Sequence, residues 1–200
     1  MGEFLNPYEL IERHGSKLPH WQQGEAMQFV TFRLGDAMPA EKLKQWREDR
    51  GSWLDRNPEP WSIEQERLYH RIFTRQIEEW LDAGMGSCLL RAPEVRGLIE
   101  EVLQGKGETY AVHHAWVLMP NHVHLLFTPR HPLDALMKAW KGASARRIGR
   151  GPIWQRGYRD TLIRDEEHFE NAVRYIRRNP EKLSEGTFSL WQSERALEVP

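Results

Sequence analysis

A single cysteine, Cys88, occurs in 200 residues, which excludes an internal disulfide and fits a reducing compartment. No window approaches the roughly 18 consecutive apolar residues of a membrane-spanning helix. The opening stretch, MGEFLNPYELIERHG, carries charges where an export signal needs an apolar run. It starts Met-Gly, but Asn6 stands where N-terminal acylation requires serine or threonine. There is no Gly-rich phosphate loop ending in Lys-Ser/Thr, so a P-loop nucleotide hydrolase is not expected. Internal repeats and low-complexity linkers are absent too. Together these absences point to a cytoplasmic protein with no membrane partner. Its length suits one domain, spanning 1–200, with a real core and room for an insertion.

The net charge of −1 offers no overall attraction to a polyanion, but the distribution is uneven. From Lys138 to Arg164 stand Lys138, Lys141, Arg146, Arg147, Arg150, Arg156, Arg159 and Arg164, against one acid, Asp160. The compensating acids lie between Asp36 and Glu101. Such a strip is either a solvated helix face or a contact for phosphates. Nine tryptophans are many for this length; Trp140 and Trp154, near the strip, suit core packing or stacking on unpaired bases.

Periodicity places the elements. MQFVTFRL, 27–34, has the β-branched and aromatic content of a strand. A helix is expected from about Pro39 to Arg56, stopped by Asn57-Pro58. A second begins at the cap Ser62 and ends at Gly84; a third runs from 92 to 105 with Pro93 in its first turn. TYAVHHAWVLM and HVHLLFTP read as two strands joined by a Pro120-Asn121 turn, an antiparallel hairpin. HPLDALMKAWKGASARRIG is an amphipathic helix, GYRDTLIR a further strand, and DEEHFENAVRYIRRNP a helix capped by Asp165. This order predicts an α+β fold, an antiparallel sheet with helices packed on it. The helices at about 36–106 read as an insertion, and about 184–200 as a short C-terminal tail.

The chemistry-bearing residues sit in two places. In MPNHVHLLF, His122 and His124 fall two apart on a strand, so both imidazoles share a face. Such a pair can ligate a metal, donate to a phosphate, or simply be a buried hydrogen-bonded pair. In VRYIRRNP, Tyr175 and Asn179 are four apart and share a helix face, just before Pro180. A phenol can be a covalent nucleophile, and two imidazoles with an amide oxygen can hold a divalent cation that polarises a phosphoryl oxygen. His114, one of two adjacent histidines on the partner strand, suits a structural role better than a site role.

WVLMPNHVHLLFTP followed by IWQRGYRDTLIRDEEHFENAVRYIRRNP resembles the REP-associated tyrosine transposases, a branch of the single-tyrosine HUH endonucleases. LPHWQQGEAMQFVTFRL and LDALMKAWKGASA are similar to that family's opening strand and post-hairpin helix. The resemblance implies a ferredoxin-like HUH α/β sandwich. It implies Tyr175 as nucleophile and His122, His124 and Asn179 as ligands of magnesium or manganese. Many relatives outside this branch carry glutamine at the position of Asn179. The implied reaction is cleavage and rejoining of single-stranded DNA beside a REP-type hairpin through a 5′-phosphotyrosine. Lys138, Lys141, Arg146, Arg147, Arg156, Arg174, Arg177 and Arg178 are then candidate DNA contacts. A monomer is implied, with a dimer as the alternative. A domesticated hairpin-binding protein without catalysis and a hydrolytic metallophosphoesterase are the rival readings.

Overall fold

The computed structural model describes residues 2–14, 20–105 and 107–200, with only the backbone of Arg13 and His14. In chain order the strands and α-helices are β1 (Glu12–His14), β2 (His20–Gln22), β3 (Gln28–Arg33), α1 (Ala40–Arg56), α2 (Ile63–Tyr69), α3 (Arg75–Asp82), α4 (Pro93–Gln104), β4 (Ala111–Leu118), β5 (His122–Pro129), α5 (Leu133–Ile148), β6 (Arg159–Leu162), α6 (Glu166–Arg178), β7 (Ser189–Gln192) and α7 (Glu194–Leu197). The chain divides into two compact units, Met1–Gly35 with Leu89–Pro200, and Asp36–Cys88.

The larger unit is built on a five-stranded sheet in the order β6-β3-β5-β4-β7, with every neighbouring pair antiparallel. β5 lies at its centre and is buried on both faces. Alternation sends His122, His124 and Leu126 to one face and Val123, Leu125 and Phe127 to the other. The first face is covered by α6, whose Phe169, Val173 and Ile176 are fully buried with Met27, Val117 and Leu126. Burying each such side chain contributes roughly 1.5–3 kcal/mol. The second face packs on α5, where Trp140 meets Phe127 at 5.1 Å between ring centroids. α6 and α5 therefore lie on opposite sides of the sheet.

Local chemistry explains the ends of these elements. Asp165 accepts a hydrogen bond from the His168 backbone N–H at 2.8 Å, and Glu166 and Glu167 in the first turn of α6 complement the helix dipole. α5 has Pro132 at its N-cap position and no capping side chain of its own. Gln22 of β2 supplies the acceptor instead, its Oε1 taking the Leu133 N–H at 2.8 Å. At the far end Gly149 adopts φ +71° and closes the helix.

Two expectations change at the C-terminal and central stretches. The residues read as a tail, about 184–200, contain the sheet's fifth strand, with Trp191 registered against Trp116. Ala196 and Val199 reach the core beneath α6. The stretch read as an insertion, about 36–106, divides: α4 clusters with the sheet, and only Asp36–Cys88 stands as a separate unit. Its outer bound at Lys106 lies outside the described residues, as do Leu18 and Pro19 of the opening motif.

The smaller unit is helical and held by aromatic rings. Trp53 meets Trp61, Tyr69 and Phe73 within 6.0 Å, and Arg50 donates to the Tyr69 hydroxyl at 2.6 Å. Ser62 and Gln65 form a reciprocal capping box that starts α2. The expected single helix to Gly84 is interrupted by a π-helical turn at His70–Thr74. Among the described residues no helix is long and apolar enough to cross a membrane.

Candidate active site

His122 and His124 project from β5 beneath α6 and are 1% and 2% exposed. Their Nε2 atoms face each other at 3.0 Å, with the rings nearly perpendicular. Each Nδ1 is held from behind. The Nδ1–H of His122 donates to Asn121 Oδ1 at 2.7 Å, which leaves its Nε2 as a lone pair. His124 Nδ1 lies 2.8 Å from the Thr31 hydroxyl, which can donate or accept. When Thr31 donates, His124 is protonated on Nε2 and donates to His122. When Thr31 accepts, two lone pairs converge, an arrangement that requires a cation between them. Oxygen partners on the rear nitrogen are the usual support of a metal-ligating histidine.

Burial keeps both rings neutral. It brings His122 down to about 3. His124 is lowered well below its ordinary value by burial first, then by His122 and by the positive charge of Arg159. A neutral imidazole is the metal-binding form.

Tyr175 reaches this pair from α6. Its ring meets His124 edge-on at 5.2 Å and Phe29 at 5.7 Å, while Phe29 itself stacks on His124. Asn179 lies one turn further on, its N–H donating to the Tyr175 carbonyl at 3.1 Å. Its Oδ1 is buried and has no hydrogen-bond partner among the described residues. An orphaned amide oxygen costs about 1–3 kcal/mol, and a bound cation would satisfy it. Two neutral imidazole nitrogens and an amide oxygen are donor types that a divalent ion accepts. Among the described residues no three histidine, cysteine, aspartate or glutamate side chains cluster to hold a metal.

The other sequence candidates are scattered. Lys138, Arg146, Arg156 and Arg178 are exposed. Lys141 is half-buried, and its Nζ donates to the Gln155 and Gly157 carbonyls, both at 2.7 Å; burial lowers it to about 8. Arg147 pairs with Glu101 at 2.5 Å, and Arg174 with Glu170 at 3.2 Å. Arg177 donates to the Val199 and Ala196 carbonyls at 2.8 and 2.9 Å, tying α6 to the C-terminal segment. The α5 residues thus lie across the sheet from the histidine pair. Trp140 and Trp154 are buried, and Trp154 Nε1 donates to Ser144 Oγ at 2.9 Å, so both pack the core. His114 sits away from the pair, 2.9 Å from the Thr128 hydroxyl and edge-on to Phe169.

Four residues around the site escaped the sequence reading: Phe29, Thr31, Arg33 and Asn121. Arg33 is registered against His122 and Thr31 against His124, so both share the histidines' face. Only the pairing register brings them there. Asn121 had a signal, its place immediately before His122, but that position read as a turn residue alone.

Residues 90–179 match the family described as "Transposase IS200 like". The matched segment contains His122, His124 and Tyr175 and ends on Asn179. The resemblance drawn from the sequence is borne out at this level: the segment that builds the site is similar to that of a family of DNA-processing enzymes. Among solved structures, one titled "Structure of the REP associates tyrosine transposase bound to a REP hairpin" is 15% identical, over 84% of this chain and 74% of that chain, with a TM-score of 0.44. No curated protein matches the chain.

Proposed function

We propose that the chain is a single-stranded DNA endonuclease and strand-transfer enzyme whose nucleophile is Tyr175. One observation carries this reading: the phenol on α6 stands against a buried, neutral histidine pair, one turn from an amide oxygen that no described residue satisfies. A half-buried tyrosine and two core histidines would pack equally well with Asn179 satisfied or replaced by an apolar residue. Asn179 thus brings an unsatisfied acceptor that packing alone does not call for.

In this reading Tyr175 Oη attacks a backbone phosphorus. The Oη–P bond forms as the P–O3′ bond breaks, and the phenolic proton ends on the released 3′ oxygen. The product is a 5′-phosphotyrosine and a free 3′-hydroxyl, and the reverse step rejoins DNA. His122, His124 and Asn179 would hold magnesium or manganese, which polarises a phosphoryl oxygen and favours the ionised form of a phenol whose ordinary pKa is near 10. Asn121 and Thr31 orient the imidazoles, and Phe29 fixes the Tyr175 and His124 rings on one another. The phosphodiester is exchanged rather than hydrolysed, so no nucleotide is consumed.

The DNA partner follows from the family resemblance: a hairpin with a single-stranded flank, met by a monomer in the cytoplasm. The loop from α5 to β6 crosses from one face of the sheet to its edge. Lys141 pins its Gln155 and Gly157 carbonyls, which holds the intervening Arg156 outward. Lys138, Arg146 and Arg156 would grip hairpin phosphates there, setting register without reading sequence. Arg147, Arg174 and Arg177 serve first as internal ties and contribute charge, and Arg178 lies free to approach the flank.

Covalent capture tests the reading. A labelled hairpin oligonucleotide incubated with manganese should give a denaturant-resistant protein–DNA species with wild type and none with Tyr175→Phe, which binds the hairpin equally well. Binding without capture by wild type would favour the non-catalytic, domesticated reading. Release of a strand without any adduct would favour a hydrolytic phosphoesterase.

A further inference from the structure

We propose that Arg159 holds the scissile phosphate beside the histidine pair, an assignment that rests on the transesterification reading above. The argument starts from register. Thr31 of β3 is opposed to His124 of β5 on one side and to Arg159 of β6 on the other. Directly opposed residues of antiparallel strands share a face, so Arg159, Thr31 and His124 form a row across three strands. Strands about 4.8 Å apart put the backbones of Arg159 and His124 roughly 10 Å apart. An extended arginine covers most of that gap. Its charge is felt at the imidazole, where it adds to burial and His122 in disfavouring protonation.

β6 is the outer strand of the sheet and Arg159 is exposed, so the guanidinium stands at the rim where an unpaired strand must enter. The residues on either side of it are anchored toward the opposite face. Asp160 accepts from His20 Nδ1 at 2.5 Å and from the Trp21 N–H at 2.9 Å. Tyr158 stacks on His20 at 3.8 Å, and its hydroxyl donates to Asp134 of α5. With both neighbours fixed, the edge strand cannot roll, and Arg159 is kept on the site's side.

A charged residue on an edge strand also blunts edge-to-edge aggregation. That role would be met anywhere along β6 and on either face; it does not account for a row shared with Thr31 and His124, nor for the double anchor behind it. The chemistry accounts for both. As Oη–P forms and P–O3′ breaks, the non-bridging oxygens carry negative charge throughout. A guanidinium offers two parallel N–H donors to two such oxygens and a permanent charge. Held at the rim, it orients the phosphorus toward Tyr175.

The test uses the full chain with manganese and a hairpin oligonucleotide bearing a single-stranded flank. Single-turnover adduct formation is measured at saturating DNA for wild type, Arg159→Ala and Arg159→Lys. The alanine variant should be slower by roughly tenfold or more, with lysine intermediate because it keeps charge but not the fork. Affinity for the hairpin without its flank and the thermal midpoint should stay near wild type, since a merely structural residue would move those instead. A second readout needs no cleavage: inorganic phosphate titrated against histidine-labelled protein should shift the His124 ring signals in wild type and not in Arg159→Ala. Undiminished adduct formation in Arg159→Ala, or identical phosphate shifts in both proteins, would overturn the assignment. An Arg159-dependent phosphate shift in a wild-type protein that forms no adduct would support the phosphate site and refute the transesterification reading.

Discussion

Acidification should destabilise the metal-free protein well before its carboxylates titrate. His113 and His114 on β4 are brought down to about 4 by burial, and His122 on β5 to about 3, from an ordinary value of 6.5. The unfolded chain therefore binds protons that the folded chain refuses. For a base with a lowered folded pKa, the stabilisation is complete above 6.5 and is lost as pH falls toward the folded value. At about pH 5 each ring has forfeited roughly 2 kcal/mol. Three rings on two adjacent strands then remove about 6 kcal/mol, against a total of about 5–15 kcal/mol for a domain. The assay is urea unfolding in chelator at about pH 7, 6 and 5, followed by tryptophan emission and far-ultraviolet circular dichroism. The midpoint should fall steadily from about pH 7 to about pH 5. A flat midpoint across that range would refute the burial argument.

Other perturbations separate the roles assigned above. Asn179→Leu removes the orphaned acceptor and should raise the stability of chelated protein by about 1–3 kcal/mol, while isothermal titration shows manganese binding weakened; unchanged metal affinity would remove Asn179 from the ligand set. His122→Ala should abolish cleavage and lower manganese affinity by far more than it lowers hairpin affinity, as read by gel shift. Arg156→Ala should flatten the salt dependence of hairpin binding by about 0.7–0.9 log unit per log salt, and a wild-type slope would detach the α5–β6 loop from the hairpin. Lys141→Met should weaken hairpin binding while making that loop more accessible to limited proteolysis; normal binding with a loosened loop would show that Arg156 needs no support.

What the sequence disclosed is what short range encodes. Two histidines two apart on a strand must share a face, and Tyr175 and Asn179 four apart on a helix must do the same, so the chemistry-bearing pairs were legible without coordinates. The hairpin around Pro120-Asn121 and the cap at Asp165 are local in the same sense. What was hidden depends on pairing between distant segments. Thr31, Arg33 and Arg159 gain meaning only when β3 is registered against β5 and β6. The basic strip looked continuous in sequence, yet α5 lies across the sheet from α6, and Lys141 turns its charge on its own backbone. The last strand, β7, is four residues long and offers too little alternation to be told from a tail.

The central claim is that Tyr175 becomes joined to DNA. Wild-type protein incubated with manganese and a flanked hairpin oligonucleotide, digested with protease and nuclease, should yield one peptide carrying a nucleotide phosphate on Tyr175 by mass spectrometry, and none when His122 is alanine. A cleaved oligonucleotide with every tyrosine unmodified, or a phosphate mapped to another residue, would contradict it.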